Sequence, residues 1–296
     1  MICLVGVSTK ALIAYHAIYP NERPNLLVSY ARLTRDTADF LFKYRHIVGS
    51  VILDSGTYSL VNNPQRYASS VTLTGYKAYL EQLGHGFDFY FNFDQNYSRA
   101  GFPINLGCQL YLESVGLNPV PVVHDCYGPE IPYYISHGYK LVAIGSGELR
   151  DQGVTELCRI VNKLYSRGIK VHFLGCTEYE KLAYVPVYSA DSATWNQAGS
   201  RGHLLYWNPN SLAVDKTERI RFIYGLPRRL MTRHIDGHPD WLDIEGYLNR
   251  ELDYTIGDLK GSQGSFNRLV ANIHFYIKLE KRIAAIHRQL GFKFWV

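Results

Sequence analysis

The chain has 296 residues, 47% of them hydrophobic, and a formal charge of +5 at neutral pH. That length supports one large α/β barrel or two modest domains around a sizeable core. Its five cysteines are widely spaced and form no CxxC pair, which argues against a disulfide scaffold and against a cysteine-rich zinc site.

The opening Met1–Val7 lacks the basic region of a secretory signal and is too short to cross a bilayer, so a soluble, cytoplasmic protein is expected. In chain order, eight short apolar runs read as strands: Ile2–Val7, Ser50–Leu53, Phe87–Phe93, Pro119–Val123, Lys140–Ile144, Ile169–Leu174, Val185–Ser189 and His203–Trp207. Each is rich in β-branched or aromatic residues and bounded by Gly, Pro or Asp. Between them lie segments of helical spacing at Thr34–Tyr44, Leu73–Leu83, Leu106–Val115, Glu130–His137 and Val154–Ser166. In the last, Val154, Leu157, Cys158, Val161 and Leu164 share one stripe and Arg167-Gly168 ends it. The first strand leads into Ser8-Thr9-Lys10 with no GxGxxG, which disfavours an open nucleotide-binding sheet. Alternation of strand and helix therefore predicts an α/β fold, a (β/α)8 TIM barrel.

Beyond Pro227 the pattern changes. Phe266–Leu290 reads as a long amphipathic helix, with Leu269, Val270, Ile273, Ile277, Ile283, Ile286 and Leu290 near one period. The expected organisation is a catalytic barrel over residues 1–226 and a C-terminal helical extension over 227–296 packed on it. After Asp258, seven basic residues stand against Glu280 alone, so the excess positive charge sits in the tail. Lys278, Lys281, Arg282 and Arg288 form a face suited to nucleic-acid phosphates, or else a solvated helix face.

On such a barrel the C-terminal strand ends converge on one mouth, where catalytic residues gather. Asp54 follows the second run, Asp94 the third, His124-Asp125 the fourth, Gly145-Ser146-Gly147 the fifth, Gly175 the sixth and Asp191 the seventh. Each has a structural explanation as a turn or helix cap. Together they suggest an enzyme, because two carboxylates at a sugar divide nucleophilic attack from proton transfer, and a third can accept N–H bonds from a purine edge. His124 can donate to a base oxygen. Gly145 and Gly147 let backbone approach a flat ligand, and Tyr58, Tyr127 and Trp195 can stack on it or pack the core.

The order of these segments resembles the tRNA-guanine transglycosylase superfamily, and most closely its divergent phage and bacterial 7-deazaguanine DNA transglycosylases. Ile52–Tyr58 is similar to the family's Asp-Ser-Gly-Gly-Phe/Tyr segment, and Tyr90–Gln95 to the segment whose Asp binds guanine. Val122–Asp125 stands at the family's Val-Gln-Gly-Gly. Val142–Leu149 resembles Ala-Ile-Gly-Gly-Leu, and Tyr188–Ser192 falls where the family keeps its nucleophilic Asp. The resemblance covers roughly residues 50–205.

It implies a pentosyltransferase with Asp191 as nucleophile and Asp54 as proton shuttle. Asp94, His124, Gly145, Ser146, Ser55, Tyr58 and Trp195 would contact substrate. The partners implied are DNA or tRNA and a 7-deazaguanine base such as 7-cyano-7-deazaguanine, in the host cytoplasm where a phage encodes the chain. No cofactor is implied. The family's zinc cluster, Cys-x-Cys-x-x-Cys with a later His, is missing, so no metal is expected and DNA is favoured over tRNA. His124 in place of Gln, and Thr57 in place of the second Gly, alter the base contacts. Two rival readings remain at this point: a tRNA enzyme with the same chemistry, and a catalytically silent barrel that only binds a purine or nucleic acid.

Overall fold

The computed structural model describes residues 1–223, 233–261 and 263–294. Eight parallel strands form its centre: β1 (Ile2–Val5), β2 (Asn25–Ser29), β3 (Val51–Asp54), β4 (Phe89–Tyr90), β5 (Val122–Val123), β6 (Leu141–Ile144), β7 (Lys170–Phe173) and β8 (Ser189–Ser192). They are hydrogen-bonded in the order β4-β3-β2-β1-β8-β7-β6-β5. The two outer strands meet through a parallel bridge between Phe91 and Val120. There Val120 N–H donates to the Tyr90 carbonyl at 2.7 Å and Asn92 N–H to the Val120 carbonyl at 2.9 Å. With that bridge, spatial order follows chain order around the ring and the expected (β/α)8 barrel is formed.

The strands are followed by α1 (Thr9–Ile18) after β1, α2 (Arg35–Tyr44) after β2, and α3 (Thr57–Asn62), α4 (Pro64–Tyr67) and α5 (Leu73–Leu83) after β3. Then come α6 (Phe102–Ser114), α7 (Glu130–Ser136), the pair α8 (Ser146–Asp151) and α9 (Val154–Tyr165), α10 (Tyr179–Tyr184) and α11 (Thr194–Ser200) after β4 to β8 in turn. Local chemistry sets their starts. The Thr72 hydroxyl caps α5 by accepting from Gly75 N–H at 3.0 Å, and the Thr34 hydroxyl caps α2 from Thr37 N–H at 3.2 Å.

Strand alternation divides the core in two. Cys3, Leu27, Ile52, Phe91, Val120, Val122 and Ala143 fill the barrel interior. Their neighbours Leu4, Leu26, Leu53, Val123, Val142 and Phe173 belong to the layer between strands and helices. Side chains two positions beyond an interior residue point the same way, which aims Asp54, His124 and Gly145 inward after Ile52, Val122 and Ala143.

Two sequence expectations are corrected. Asn25–Ser29, unrecognised in the sequence, is the second barrel strand, paired with β1 and β3. His203–Trp207 is not the eighth: as β9 it pairs antiparallel with β10 (Thr217–Arg221) in a separate hairpin. Each strand end from Asp54 onward thus moves up one place in the ring, and Asp191 lies in the eighth strand.

After the hairpin come α12 (Trp241–Leu252), α13 (Ile256–Lys260) and the 27-residue α14 (Gly264–Leu290). The expected boundary between residues 226 and 227 lies outside the described residues. Helix α14 is more than an appendage: it packs on α1, α10, α11 and β1, the position of the eighth barrel helix. Its Glu280 carboxylate accepts from Ile2 N–H at 2.7 Å and from the Asn25 side-chain amide at 3.3 Å, at the N-terminal ends of β1 and β2. Asn272, fully buried, accepts from Leu205 N–H at 2.8 Å and donates to the Trp195 carbonyl at 3.0 Å, which ties hairpin, α11 and α14 together. Among the described residues no helix is long and apolar enough to cross a membrane.

Asn272→Ala removes both partners and leaves the Leu205 N–H buried and unpaired. A loss of about 2–4 kcal/mol is expected, the cost of one or two unsatisfied buried groups. Equilibrium denaturation measures it; a loss below about 0.5 kcal/mol, the scale of an ordinary surface substitution, would show that α14 is not locked through this residue.

Candidate active site

The barrel mouth opens into a cavity of about 1110 Å³ lined by Asp54, Asp94, His124, Gly145, Gly175 and Asp191 among others. The strand-end acids expected from the sequence are therefore brought together, as are Ser55, Tyr58 and Ser146. Of the acidic residues that line it, Asp54, Asp94 and Asp191 stand at strand ends, and each finds compensation differently.

Asp191 projects inward because it stands opposite Cys3 in the β8–β1 register. One carboxylate oxygen, Oδ1, accepts from His172 Nε2 at 3.0 Å and from Gly175 N–H at 3.0 Å. His172 is fully buried inside the barrel against the rings of Phe91 and Phe89, and its Nδ1 meets the Ser189 hydroxyl at 2.8 Å. If Nδ1 accepts from Ser189, Nε2 carries the proton and donates to Asp191, the tautomer this chain of contacts requires. The second oxygen of Asp191 has no hydrogen-bond partner among the described residues and opens to the cavity. Gly175 has φ +65°, and that backbone turn aims its N–H at the carboxylate.

Asp94 is buried with both oxygens engaged: the Asn92 amide donates to Oδ1 at 2.6 Å, and His124 Nε2 meets Oδ2 at 2.9 Å. Burial by itself lowers the pKa of His124, but the hydrogen bond and charge of Asp94, aided by Glu130 and Glu148, outweigh it and the net direction is upward. Asp94 and His124 thus form one unit, a buried carboxylate bonded to Nε2 of an imidazole whose Nδ1 faces the cavity. Gly145 fits against it, since a Cβ there would come within 3.2 Å of His124 Nδ1. Below it, Glu130 accepts from His124 N–H at 2.5 Å, and burial pushes its carboxyl up to about 7.

Asp54 accepts from Gly56 N–H at 3.0 Å and has no cationic partner among the described residues. Burial raises its pKa to about 6, against the opposing pull of the Ser29 hydroxyl and the Gly56 amide, while Asp191 and Asp94 add to the rise. It is the carboxyl in the recess suited to proton exchange near neutrality.

Ser55 is buried with its hydroxyl 3.1 Å from that of Thr57, which in turn lies 2.6 Å from the Tyr97 hydroxyl. Tyr58 is 65% exposed at the rim, edge-on to Tyr97. Trp195 corrects the sequence reading. It is fully buried, donates Nε1–H to the Val5 carbonyl at 3.0 Å and packs the core, so it does not stack on a ligand. Tyr127 also lies elsewhere, bonded to Glu156 on the outer face of α9.

The tail cations are not brought to the mouth. Lys278 pairs with Glu251 at 3.0 Å, Lys281 with Glu22, and the Arg282 guanidinium lies 4.9 Å over the Trp207 ring. Glu22 follows α1 and precedes β2, which puts Lys281 at the face opposite the strand ends, and Arg288 lies two turns further along the same helix. Sequence reasoning missed His172, Ser189 and Asn92. Their signal was a polar side chain alternating with apolar ones inside a strand-like run.

All five cysteines are unpaired, and among the described residues no three His, Cys, Asp or Glu side chains form a metal-ligand set. Neither the family models nor the curated proteins compared with the chain give a match.

A folded-state pKa above the ordinary 3.8 means that the stability contributed by Asp54 is full below about pH 4 and is lost as pH rises through about 6. Asp54→Asn should flatten that decline and leave the variant about 1–2 kcal/mol more stable than the parent near pH 8, allowing for partial solvation from the cavity. Denaturation midpoints across pH test this; parallel profiles for the two proteins would remove the burial argument for Asp54.

Proposed function

We propose that this chain is a base-exchange enzyme that replaces guanine in a polynucleotide, DNA rather than tRNA, with a 7-deazaguanine such as a 7-cyano-substituted base. The observation that carries the reading is the asymmetry of Asp191: one oxygen is fixed by His172 and the Gly175 amide while the other faces the same cavity as a proton-exchanging Asp54. A nucleophile needs one oriented oxygen, and a departing base needs a nearby proton. The missing zinc-cluster motif is what favours DNA.

In the first half-reaction the open oxygen of Asp191 forms a bond to C1′ as the C1′–N9 bond breaks. The electron pair leaves with guanine, which takes the proton of Asp54. The product is a glycosyl ester on Asp191. In the second half-reaction the incoming base gives its N9 proton to the Asp54 carboxylate, N9 bonds to C1′, and Asp191 departs as a carboxylate. His172 and Gly175 N–H, already aimed at that carboxylate, cost no reorganisation when its charge returns. Protonated His124 would offer Nδ1–H to the base oxygen or the 7-substituent, and the Asp94 carboxylate favours that form. C1′ of a stacked base is out of reach of a barrel mouth, so the target nucleotide is flipped or single-stranded.

Incorporation of labelled guanine, run side by side on DNA and tRNA, tests the reading: exchange into DNA is expected, and exchange into tRNA alone assigns the substrate to tRNA. Exchange into neither removes the enzymatic proposal. Asp191→Ala should abolish exchange with the thermal transition retained, and a trapped adduct on any other residue would overturn its role. Asp94→Asn should weaken binding of free guanine by about 1–3 kcal/mol, because an amide cannot hold His124 cationic. Unchanged affinity by calorimetry separates the Asp94–His124 unit from base recognition.

A further inference from the structure

The cavity is acidic at its floor, and its wall carries both acidic and basic side chains. Three arginines line it: Arg32 from the connection after β2, Arg150 from α8 after β6, and Arg219 from β10 in the hairpin after β8. All three are exposed, and among the described residues none has a carboxylate at ion-pair distance. In this they differ from Lys278 and Lys281, which are paired within the helical ring. An unpaired arginine beside a recess of carboxylates would ordinarily turn inward and pair with them. Both oxygens of Asp94 are held by Asn92 and His124, and one oxygen of Asp191 by His172 and Gly175, while the three arginines stay exposed at the opening.

The geometry points to Arg32, Arg150 and Arg219 as a phosphodiester-binding rim that holds a single polynucleotide strand across the mouth while one of its nucleotides enters the cavity. This deepens the reading given above and rests on it. The three side chains come from the second, sixth and eighth sectors of the ring, so they stand on different sides of the opening and suit phosphates on both sides of an inserted nucleotide. Guanidinium is the right group, because its planar fork matches phosphate oxygens in pairs. It also gives the β9–β10 hairpin a purpose: the hairpin brings Arg219, with Asp215 and Thr217, to the cavity wall. Contacts of this kind position a strand without reading its bases.

The test measures affinity for a mixed-sequence single-stranded DNA oligonucleotide against salt concentration, with deoxyguanosine monophosphate as a second probe. The triple variant Arg32→Gln, Arg150→Gln, Arg219→Gln is compared with the parent and with Lys278→Gln, Lys281→Gln, Arg288→Gln. The rim variant should lower the slope of log affinity against log salt by about 2, at roughly 0.7 for each phosphate of a single strand that is no longer neutralised. The tail variant should leave the slope unchanged. Mononucleotide affinity should change far less than oligonucleotide affinity in the rim variant. An unchanged slope in the rim variant, a lowered slope in the tail variant alone, or a parent that does not bind the oligonucleotide would each overturn the rim. Equal losses for mononucleotide and oligonucleotide would overturn it as a strand track. Because the readout is binding, an inactive protein that still shows the slope change would sink base exchange and leave the rim standing.

Discussion

Keeping the carboxylates of three strand ends, Asp54, Asp94 and Asp191, in one recess is the constraint on which the site is built. Mutual repulsion and poor hydration penalise their charges, and a protein can respond by supplying donors, by supplying a counter-charge or by retaining a proton. Asp191 receives two donors on one oxygen, Asp94 receives an amide and an imidazole whose pKa it raises, and Asp54, with a backbone N–H and no cation among the described residues, has its own pKa raised to about 6. The division of roles proposed for catalysis follows from this division of environments. In that proposal similar side chains at equivalent strand ends take different roles because their neighbours differ.

Those neighbours depend on strand parity. His172 sits inside the barrel because Val171 and Phe173 on either side face the helices, and Ser189 and Asp191 face inward because Ala190 faces out. The acids at the strand ends were legible in the sequence, since each closes an apolar run. The histidine supporting Asp191 was not, because Lys170–Phe173 reads as a plain buried strand until its period of two is applied position by position. Asn25–Ser29 escaped notice for another reason. Only Leu26, Leu27 and Val28 are apolar between a Pro and a Ser-Tyr pair, too short a run to stand apart from a loop, although pairing with β1 and β3 makes it a strand. Missing it promoted His203–Trp207 to a place that the hairpin register with β10 denies it.

Charge was the least legible property. The basic excess after Asp258 is real, yet counting charges along a chain does not say what faces them in space. Glu251 and Glu22, more than twenty and more than two hundred residues away in sequence, meet Lys278 and Lys281, and Trp207 covers Arg282. These cations serve the packing of α14 into the ring. That role explains why a helix with basic residues along its length can hold the eighth barrel position, where a purely apolar stripe was the only part of the pattern that pointed to burial.

The pairing of Asp94 with His124 also bears on the base selection proposed above. Read along the sequence, Asp94 accepts N–H groups from a purine edge and His124 donates to an oxygen, as two separate contacts. In the structure both oxygens of Asp94 are committed, so the donor presented to a ligand is the imidazole and the carboxylate acts through it. A neutral histidine has one N–H to give, and with Nε2 turned to Asp94 it would leave Nδ1 as an acceptor; the cation has two, and its second can face the cavity. Under the proposed function, selection at this position would depend on the protonation of His124 as well as on the shape of its side chain. On that reading the protonated form would favour a ligand oxygen or nitrile nitrogen there and oppose an N–H donor, and the Asp94 carboxylate shifts His124 towards that form.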